Sequence, residues 1–492
     1  MLDLLLVLGI AFITFITRVV NLLAIPIFTD EAIYIRWAQI GLADPAHRYI
    51  ALTDGKQPLL TWLMYPMLKI FSDPLFAGRF VSVLSGTIAA VGIYFVARKL
   101  FDRKVALFSV LLYIISPFFL LYDRLALMDS LLAALGVWSL YLEIVLVTSL
   151  RLDAALILGI TIGLGTLTKS SAFFYLYLIP ASLLLFNFKA KHKLNSLLKW
   201  LGLSTVSLVI AQLMYNSLRL SPWFYLIRQK NYTFILTVTE FLKSPFALFI
   251  SNLKGLTEFL FAYLTLPIDI VLIIVLIWSF IQKDKRIAYL FIWFLVPFLS
   301  LAAFGKVVFP RFLLFMTVPL LIIVGWGVTT LTNFALKRVK ILLLLLPLIF
   351  AYPLYQSYLI IFSPVTSAIP QTDRNQLLDD WPSGYGVKEV VNYISEKANG
   401  GKVVLGTEGT FGLNPAVYEI YLGRNKNVEI HGYWPVGEVP KELLEASAKY
   451  PTYLVFKDKQ EIPAEWPLTL VAKYKRGGGN TYLLLYQVNS HY

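Results

Sequence analysis

The sequence predicts a polytopic α-helical membrane protein carrying a small α/β domain outside the membrane. Three observations lead there. The chain of 492 residues is 58% hydrophobic with a mean hydropathy of +0.71, well beyond an ordinary soluble globule. About eleven apolar stretches fill residues 1–362. From residue 363 onward the pattern changes to short strands and one amphipathic helix.

Hydropathy places the spans at about 3–23, 75–97, 105–121, 126–147, 153–168, 172–188, 200–218, 263–281, 287–304, 312–332 and 341–361. The first lacks a small-residue cleavage site and is too long for a signal h-region, so it reads as a retained helix. The net charge of +14 is unevenly spread. Residues 1–362 hold 30 basic and 15 acidic side chains, against 13 and 14 in residues 363–492. The excess belongs to the membrane part and marks orientation, with no indication of nucleic-acid binding. Alternate short connections carry Arg98-Lys99 with Arg103-Lys104, then Arg151, Lys189 to Lys199, Lys283 to Arg286, and Lys337 to Lys340. By the positive-inside rule the N-terminus is cytoplasmic, and an odd number of spans puts the C-terminal domain outside the cell membrane.

The remaining connections are external, and they hold the unusual residues. The loop 24–74 is too apolar to be a floppy linker. Glu31–Ile40 has helical spacing of Ile33, Trp37 and Ile40, and Leu59–Pro66 is similar. Both read as interfacial helices, the first capped by Thr29 or Asp30. The loop 219–262 mixes Trp223, Phe224, Tyr225, Tyr232 and Phe234 with Arg228, Lys230, Lys243 and Lys254. It reads as an interfacial re-entrant helix or as a surface in direct contact with an anionic substrate.

In the 363–492 domain, Gly386–Ala398 reads as an amphipathic helix ended by Gly400-Gly401. Lys402–Leu405, Thr452–Lys457, Leu468–Tyr474 and Thr481–Val488 read as strands, the last two joined by a hairpin loop at 475–480. Gly406–Gly412 follows a strand but lacks G-x-G-x-x-G spacing, so it reads as a plain strand-to-turn. The chain has no cysteine, and therefore no disulfide or thiolate metal site. His47, His192, His431 and His491 are scattered and form no metal pattern.

Chemistry is thus expected on the external face. Asp30 and Glu31 lead: a carboxylate beside lipid is poorly solvated and becomes a better base. The same pair also suits a helix cap and the helix dipole. Lys56 lies at headgroup depth after an Asp-Gly turn, as a phosphate contact or a snorkelling lysine. Asp129 opens an apolar helix, where an unpaired carboxylate costs roughly 2.5–3.5 kcal/mol; Arg124 lies just over one turn earlier, an imperfect spacing for a pair. Lys169 ends a span, Lys306 and Arg311 flank Phe309-Pro310, and Arg18 sits within the first span near its external end. Each of these also reads as an interface cation.

Carboxylates and cations beside apolar grooves suit group transfer from a lipid-linked phosphate. The cations stabilise the departing phosphate, and a carboxylate takes the proton of an acceptor hydroxyl. A membrane transporter or lipid-linked sugar flippase is the alternative; such proteins hold their charges near the midplane and often show inverted repeats. A non-catalytic receptor is a third class.

The order of motifs resembles the GT-C-fold polyprenyl-phosphate-dependent glycosyltransferases, nearest to the protein O-mannosyltransferases and aminoarabinose transferases. The motifs are Asp30-Glu31, Lys56-Gln57-Pro58-Leu59, Arg124 to Asp129, Leu167-Thr168-Lys169 and Phe309-Pro310-Arg311-Phe312. The resemblance covers roughly residues 1–335. It implies a polyprenyl-phosphate sugar donor, hexosyl or pentosyl, and inverting transfer to an external acceptor hydroxyl. It implies Asp30 as the catalytic carboxylate, Glu31 as a positioning group with a possible divalent cation beside the two, and Lys56 near the lipid phosphate. Arg124, Lys169, Lys306 and Arg311 are the further donor-phosphate candidates, and Tyr34 and Asp129 are cavity residues. Gln57 stands where the family has proline. The tail shows no β-trefoil repeats of the eukaryotic O-mannosyltransferases.

Overall fold

The computed structural model describes residues 2–189, 191–245 and 247–490. His491 lies outside the described residues. The chain packs as two compact units. One comprises the chain up to Val20, Tyr49–Leu63 and Arg79–Phe362; the other comprises Asn21–Arg48, Met64–Gly78 and the chain from Ser363 on.

The first unit is helical, and the chain is a multi-pass membrane protein. Every one of the eleven apolar stretches is helical over most of its length. Among the described residues, six helices are long and apolar enough to cross a bilayer: Leu2–Val19, Pro74–Leu100, Met128–Ser149, Lys193–Leu220, Lys285–Phe304 and Pro310–Lys337. Phe249–Leu264 and Leu266–Gln282 make a pair bent by 112° that adds a seventh if it counts as one span. A count of eleven is therefore not reached on length and composition: some helices, such as Leu152–Thr168, are short, and others break. The stretch at 105–121 breaks at Ser116, where Pro117 opens a new helix. The stretch at 172–188 turns to a tighter 3-10 helix at Ile179-Pro180. Within the loop 219–262 the chain forms helices Leu226–Phe234, Val238–Lys243 and Phe249–Leu264.

With lipid on one side and helix on the other, close packing needs small residues. Gly325 meets Ser109 so tightly that a Cβ there has no room. A buried polar network also ties the helices. Arg18 Nε meets Asp123 Oδ2 at 3.2 Å, and both side chains are fully enclosed. Tyr113 and Ser130 donate to the two oxygens of Asp123, each at 2.8 Å, and Arg18 donates to the carbonyls of Ile114 and Tyr113. Arg18 thus finds the acid that its position in the first span calls for. Removing one member of an enclosed ion pair strands the other charge. Arg18→Leu is expected to cost about 3–5 kcal/mol, seen as a lower thermal midpoint in detergent, and Arg18→Leu with Asp123→Asn is expected to recover part of it.

The second unit is built on a five-stranded sheet: β1 (Val403–Glu408), β2 (Val428–Tyr433), β3 (Thr452–Phe456), β4 (Leu468–Lys475) and β5 (Tyr482–Val488). The order is β2-β1-β3-β5-β4. β2, β1 and β3 run parallel, and β5 and β4 are antiparallel additions. β1 and β3 are buried along their whole length, as parallel strands covered on both faces require. Val404, Leu443, Leu454, Phe456 and Leu484 form one core. The expected helix is present as Val387–Ala398, begun at Gly386 with φ +86°. Sequence reading missed β2 and the helices Leu413–Leu422 and Lys441–Ser447, which complete the crossovers between the parallel strands.

In the same unit the helix Thr29–Ala43 packs on the helix Leu413–Leu422. Arg36 Nε lies 2.7 Å from Glu419 Oε2, and Gln39 donates to the carbonyl of Ile420. Phe28 pairs with Ser383 in an antiparallel bridge.

Candidate functional site

Asp30, Glu31 and Tyr34 all lie on the Thr29–Ala43 helix of the second unit. The cap differs from expectation. Phe28 is the N-cap residue, and the Glu31 side chain closes the first turn by accepting the Phe28 N–H at 3.1 Å. Thr29 caps nothing; its N–H and its hydroxyl both donate to Pro382 O at 3.1 Å. Glu31 is fully buried, whereas Asp30 stays partly exposed. The two carboxylates therefore differ: Glu31 closes the turn from a buried position, and Asp30 is partly exposed. Tyr34 is buried, with its ring 5.8 Å from that of Trp37. Among the described residues no three His, Asp or Glu gather as a metal set.

The cations lie in the first unit, and four of the five converge. Their centre is a run of three phenylalanines. Phe234 and Phe312 have ring centroids 6.2 Å apart, and Phe309 lies 5.6 Å from Phe312. Lys56 Nζ sits 5.1 Å from the Phe234 ring, Lys169 Nζ 4.6 Å from Phe312, and the Arg311 guanidinium 4.8 Å from Phe309. The Lys306 N–H donates to Phe234 O at 2.7 Å, and its ammonium reaches Tyr232 O and Glu240 Oε1. These residues come from four separate stretches of chain. Aromatic faces attract cations through the ring quadrupole, and so hold several positive charges near one another.

Two acids and a set of amides position these cations. Asp129 Oδ1 accepts from Lys169 Nζ at 2.7 Å. The buried Asp129 is therefore paired with Lys169, forty residues on. Lys306 holds Glu240 at 2.8 Å. That hydrogen bond, then the Thr237 amide, keeps the Glu240 carboxyl down at about 2. Gln57 donates to Ser170 Oγ at 2.7 Å, and Asn231 donates to the same oxygen at 3.1 Å. Gln57, at the position where the family has proline, thus ties the Lys56 turn to the segment after Lys169. Lys230 pairs with Asp54 at 2.6 Å beside the same turn.

Arg124 stands apart. Its Nη1 donates to the carbonyls of Arg18 at 2.8 Å and Val20 at 2.6 Å. It belongs with Arg18 and Asp123. Sequence reading also missed Glu143, fully buried in the Met128–Ser149 helix, where it accepts from Tyr289 Oη at 2.9 Å. A glutamate inside an apolar helix was the available signal.

Residues 55–215 match the family model described as dolichyl-phosphate-mannose-protein mannosyltransferase. Comparison with curated protein sequences gives no match. Among solved structures, the chain is similar to ArnT from Cupriavidus metallidurans bound to undecaprenyl phosphate, with a TM-score of 0.61 and 13% identity over 98% of this chain and 97% of that one. The apo state of that ArnT gives 0.57 and 13% over 99% and 98%. The archaeal oligosaccharyltransferase AglB from Archaeoglobus fulgidus, in complex with an inhibitory peptide and a dolichol-phosphate, gives 0.53 and 14% over 92% and 69%. The chain has the fold of these GT-C membrane proteins.

Proposed function

We propose that the chain transfers one sugar, hexosyl or pentosyl, from a polyprenyl-phosphate donor to a hydroxyl acceptor outside the cytoplasm. The observation that carries this reading is the convergence of Lys56, Lys169, Lys306 and Arg311 on one phenylalanine cluster. Charge-assisted contacts from such a set suit a lipid phosphate, and the rings suit the first isoprene units. The family match and the fold support it. The N-terminus and the basic connections face the cytoplasm of the cell membrane, and the C-terminal domain from residue 363 faces outward.

The reaction runs as one displacement. Asp30 takes the proton of the acceptor hydroxyl. The acceptor oxygen bonds to the anomeric carbon as the bond from that carbon to the phosphate oxygen breaks. The configuration inverts, and the polyprenyl phosphate departs with its extra charge neutralised by the cation set. Glu31 holds the helix turn that presents Asp30. Asp129 holds Lys169 in place, and Arg124 supports the donor end from the Arg18 network. The divalent cation expected beside Asp30 and Glu31 is tested apart, by removing metal with chelator and restoring Mg²⁺ or Mn²⁺; no step above runs through it.

Membranes carrying the protein, supplied with a radiolabelled polyprenyl-phosphate sugar, should release polyprenyl phosphate and label an acceptor. Lys56→Ala is expected to lower transfer by about 10²-fold, and Lys56→Arg to recover part of it, since either cation serves a phosphate. Unchanged transfer in Lys56→Ala would remove this lysine from the donor site. Movement of the intact donor across the bilayer without cleavage would favour the flippase reading instead.

A further inference from the structure

The second unit carries a cluster that the proposed chemistry does not use. It lies at the carboxyl ends of the three parallel strands. With the order β2-β1-β3, the chain leaves β1 toward β2 and later returns to β3 on the other side. The crevice between the loops after β1 and β3 is thus a switch point, the place where open α/β sheets bind ligands. Glu408 ends β1, and its carboxylate accepts the backbone N–H groups of Lys457, Asp458 and Lys459 that follow β3. Backbone amides therefore occupy the Glu408 carboxylate, which with Asp458 lies near enough to act on the Lys457 charge.

Lys457 is only 7% exposed. Its ammonium lies 4.6 Å from the Trp381 ring and 5.9 Å from the Trp434 ring. No carboxylate, carbonyl or hydroxyl among the described residues accepts from it. Its three donors are therefore left to solvent or to a ligand that reaches the crevice. Gly409, at φ +121°, lets the β1 loop pass close by: a Cβ there would meet Asn414 O at 2.9 Å and Lys457 Nζ at 3.4 Å. Trp434, just past β2, is 59% exposed, and Phe411 in the β1 loop is 54% exposed. Arg476 adds a second, fully buried cation that donates to Lys457 O and Ser383 O.

We infer that this crevice binds an anionic sugar of the acceptor, its ring laid on Trp434 and its carboxylate or phosphate held by Lys457. A flat aromatic face accepts the C–H side of a pyranose, and an ammonium selects an anion over a neutral hydroxyl. The inference rests on the glycosyltransferase reading for the word acceptor. The choice of acceptor over donor comes from connectivity within the unit. Trp381, under the ammonium, precedes Pro382, whose carbonyl takes both hydrogen bonds of Thr29, the residue before the proposed base Asp30. Gly412, at the end of the β1 loop, also faces the Thr29 side chain. A ligand fixed at Lys457 is therefore held by the backbone that carries Asp30.

Binding is measured on the full chain in lipid nanodiscs by calorimetry, without donor. The probes are a glucuronic-acid disaccharide, glucose 6-phosphate, a neutral glucose disaccharide and inorganic phosphate. At least one anionic sugar should bind at least about tenfold tighter than the neutral disaccharide; which of the two does so names the anion. Lys457→Gln should erase that preference and Lys457→Arg should keep it. Trp434→Ala, at an exposed position that tolerates truncation, should weaken every sugar and leave inorganic phosphate unchanged. The proposal is overturned if no sugar probe binds, if inorganic phosphate binds as tightly as the anionic sugars, or if Lys457→Gln and Trp434→Ala both bind like the parent. Because no donor is present, the two readings separate. Sugar binding without transfer removes the transferase reading alone, and transfer without sugar binding removes this one alone.

Discussion

Asp30→Asn is expected to abolish transfer while leaving donor binding and folding intact. The amide keeps the size and most of the hydrogen-bonding capacity of the carboxylate but accepts no proton, and the loss of a general base costs about 10²–10⁴-fold in rate. The change keeps the size and shape of the side chain, and Glu31 still closes the helix start by accepting the Phe28 N–H. The check is single-turnover transfer with saturating donor, beside a thermal midpoint. Equal turnover by a well-folded Asp30→Asn protein would take Asp30 out of the mechanism. Glu31→Gln gives the contrast. It keeps an acceptor oxygen for the Phe28 N–H, so it should lose far less activity than Asp30→Asn.

The second large effect is expected at the Lys169–Asp129 pair. Lys169→Met leaves the Asp129 carboxylate buried without its cation, at a cost of about 3 kcal/mol or more. It also removes one donor-phosphate contact, worth about 10²–10³-fold in rate by analogy with other single electrostatic contacts in active sites. Stability and activity are therefore lost together, and the double variant separates them. Lys169→Met with Asp129→Asn replaces an ion pair by two neutral groups of similar size. It should regain most of the thermal stability and little of the activity. Recovery of both would mean that Lys169 serves only to pair Asp129.

Much of the class was legible in the linear text because lipid imposes simple rules. A bilayer needs long apolar helices, so the apolar stretches mark helices wherever they occur, and each of the eleven is helical. Strands at 402–405, 452–457 and 468–488 were visible for a similar reason: β-branched and aromatic runs bounded by turn residues leave few other readings. Local rules decided less where proline or a bend interrupts the pattern. Hydropathy averages across a residue such as Pro117, and so cannot see that the helix breaks there. β2, Val428–Tyr433, was missed because Glu429, His431 and Gly432 dilute its apolar signal, while its pairing with β1 is a long-range matter.

The same division runs through the candidate site. The residue types and their order along the chain, acids after the first span and cations at span ends, are properties of the sequence, and they suffice to name Asp30, Lys56, Lys169, Lys306 and Arg311. Which of them meet is not. Asp129 lies five residues from Arg124 but takes Lys169, because Arg124 is drawn to the carbonyls of Arg18 and Val20. Arg18 takes Asp123 across more than a hundred residues. The phenylalanines that gather Lys56, Lys169 and Arg311 look like ordinary apolar residues until folding brings 234, 309 and 312 together. Composition and periodicity are set by the solvent each segment must face, and a sequence records that directly. Partner choice among buried charges is set by who is nearest once the chain has packed, and only the tertiary structure decides that.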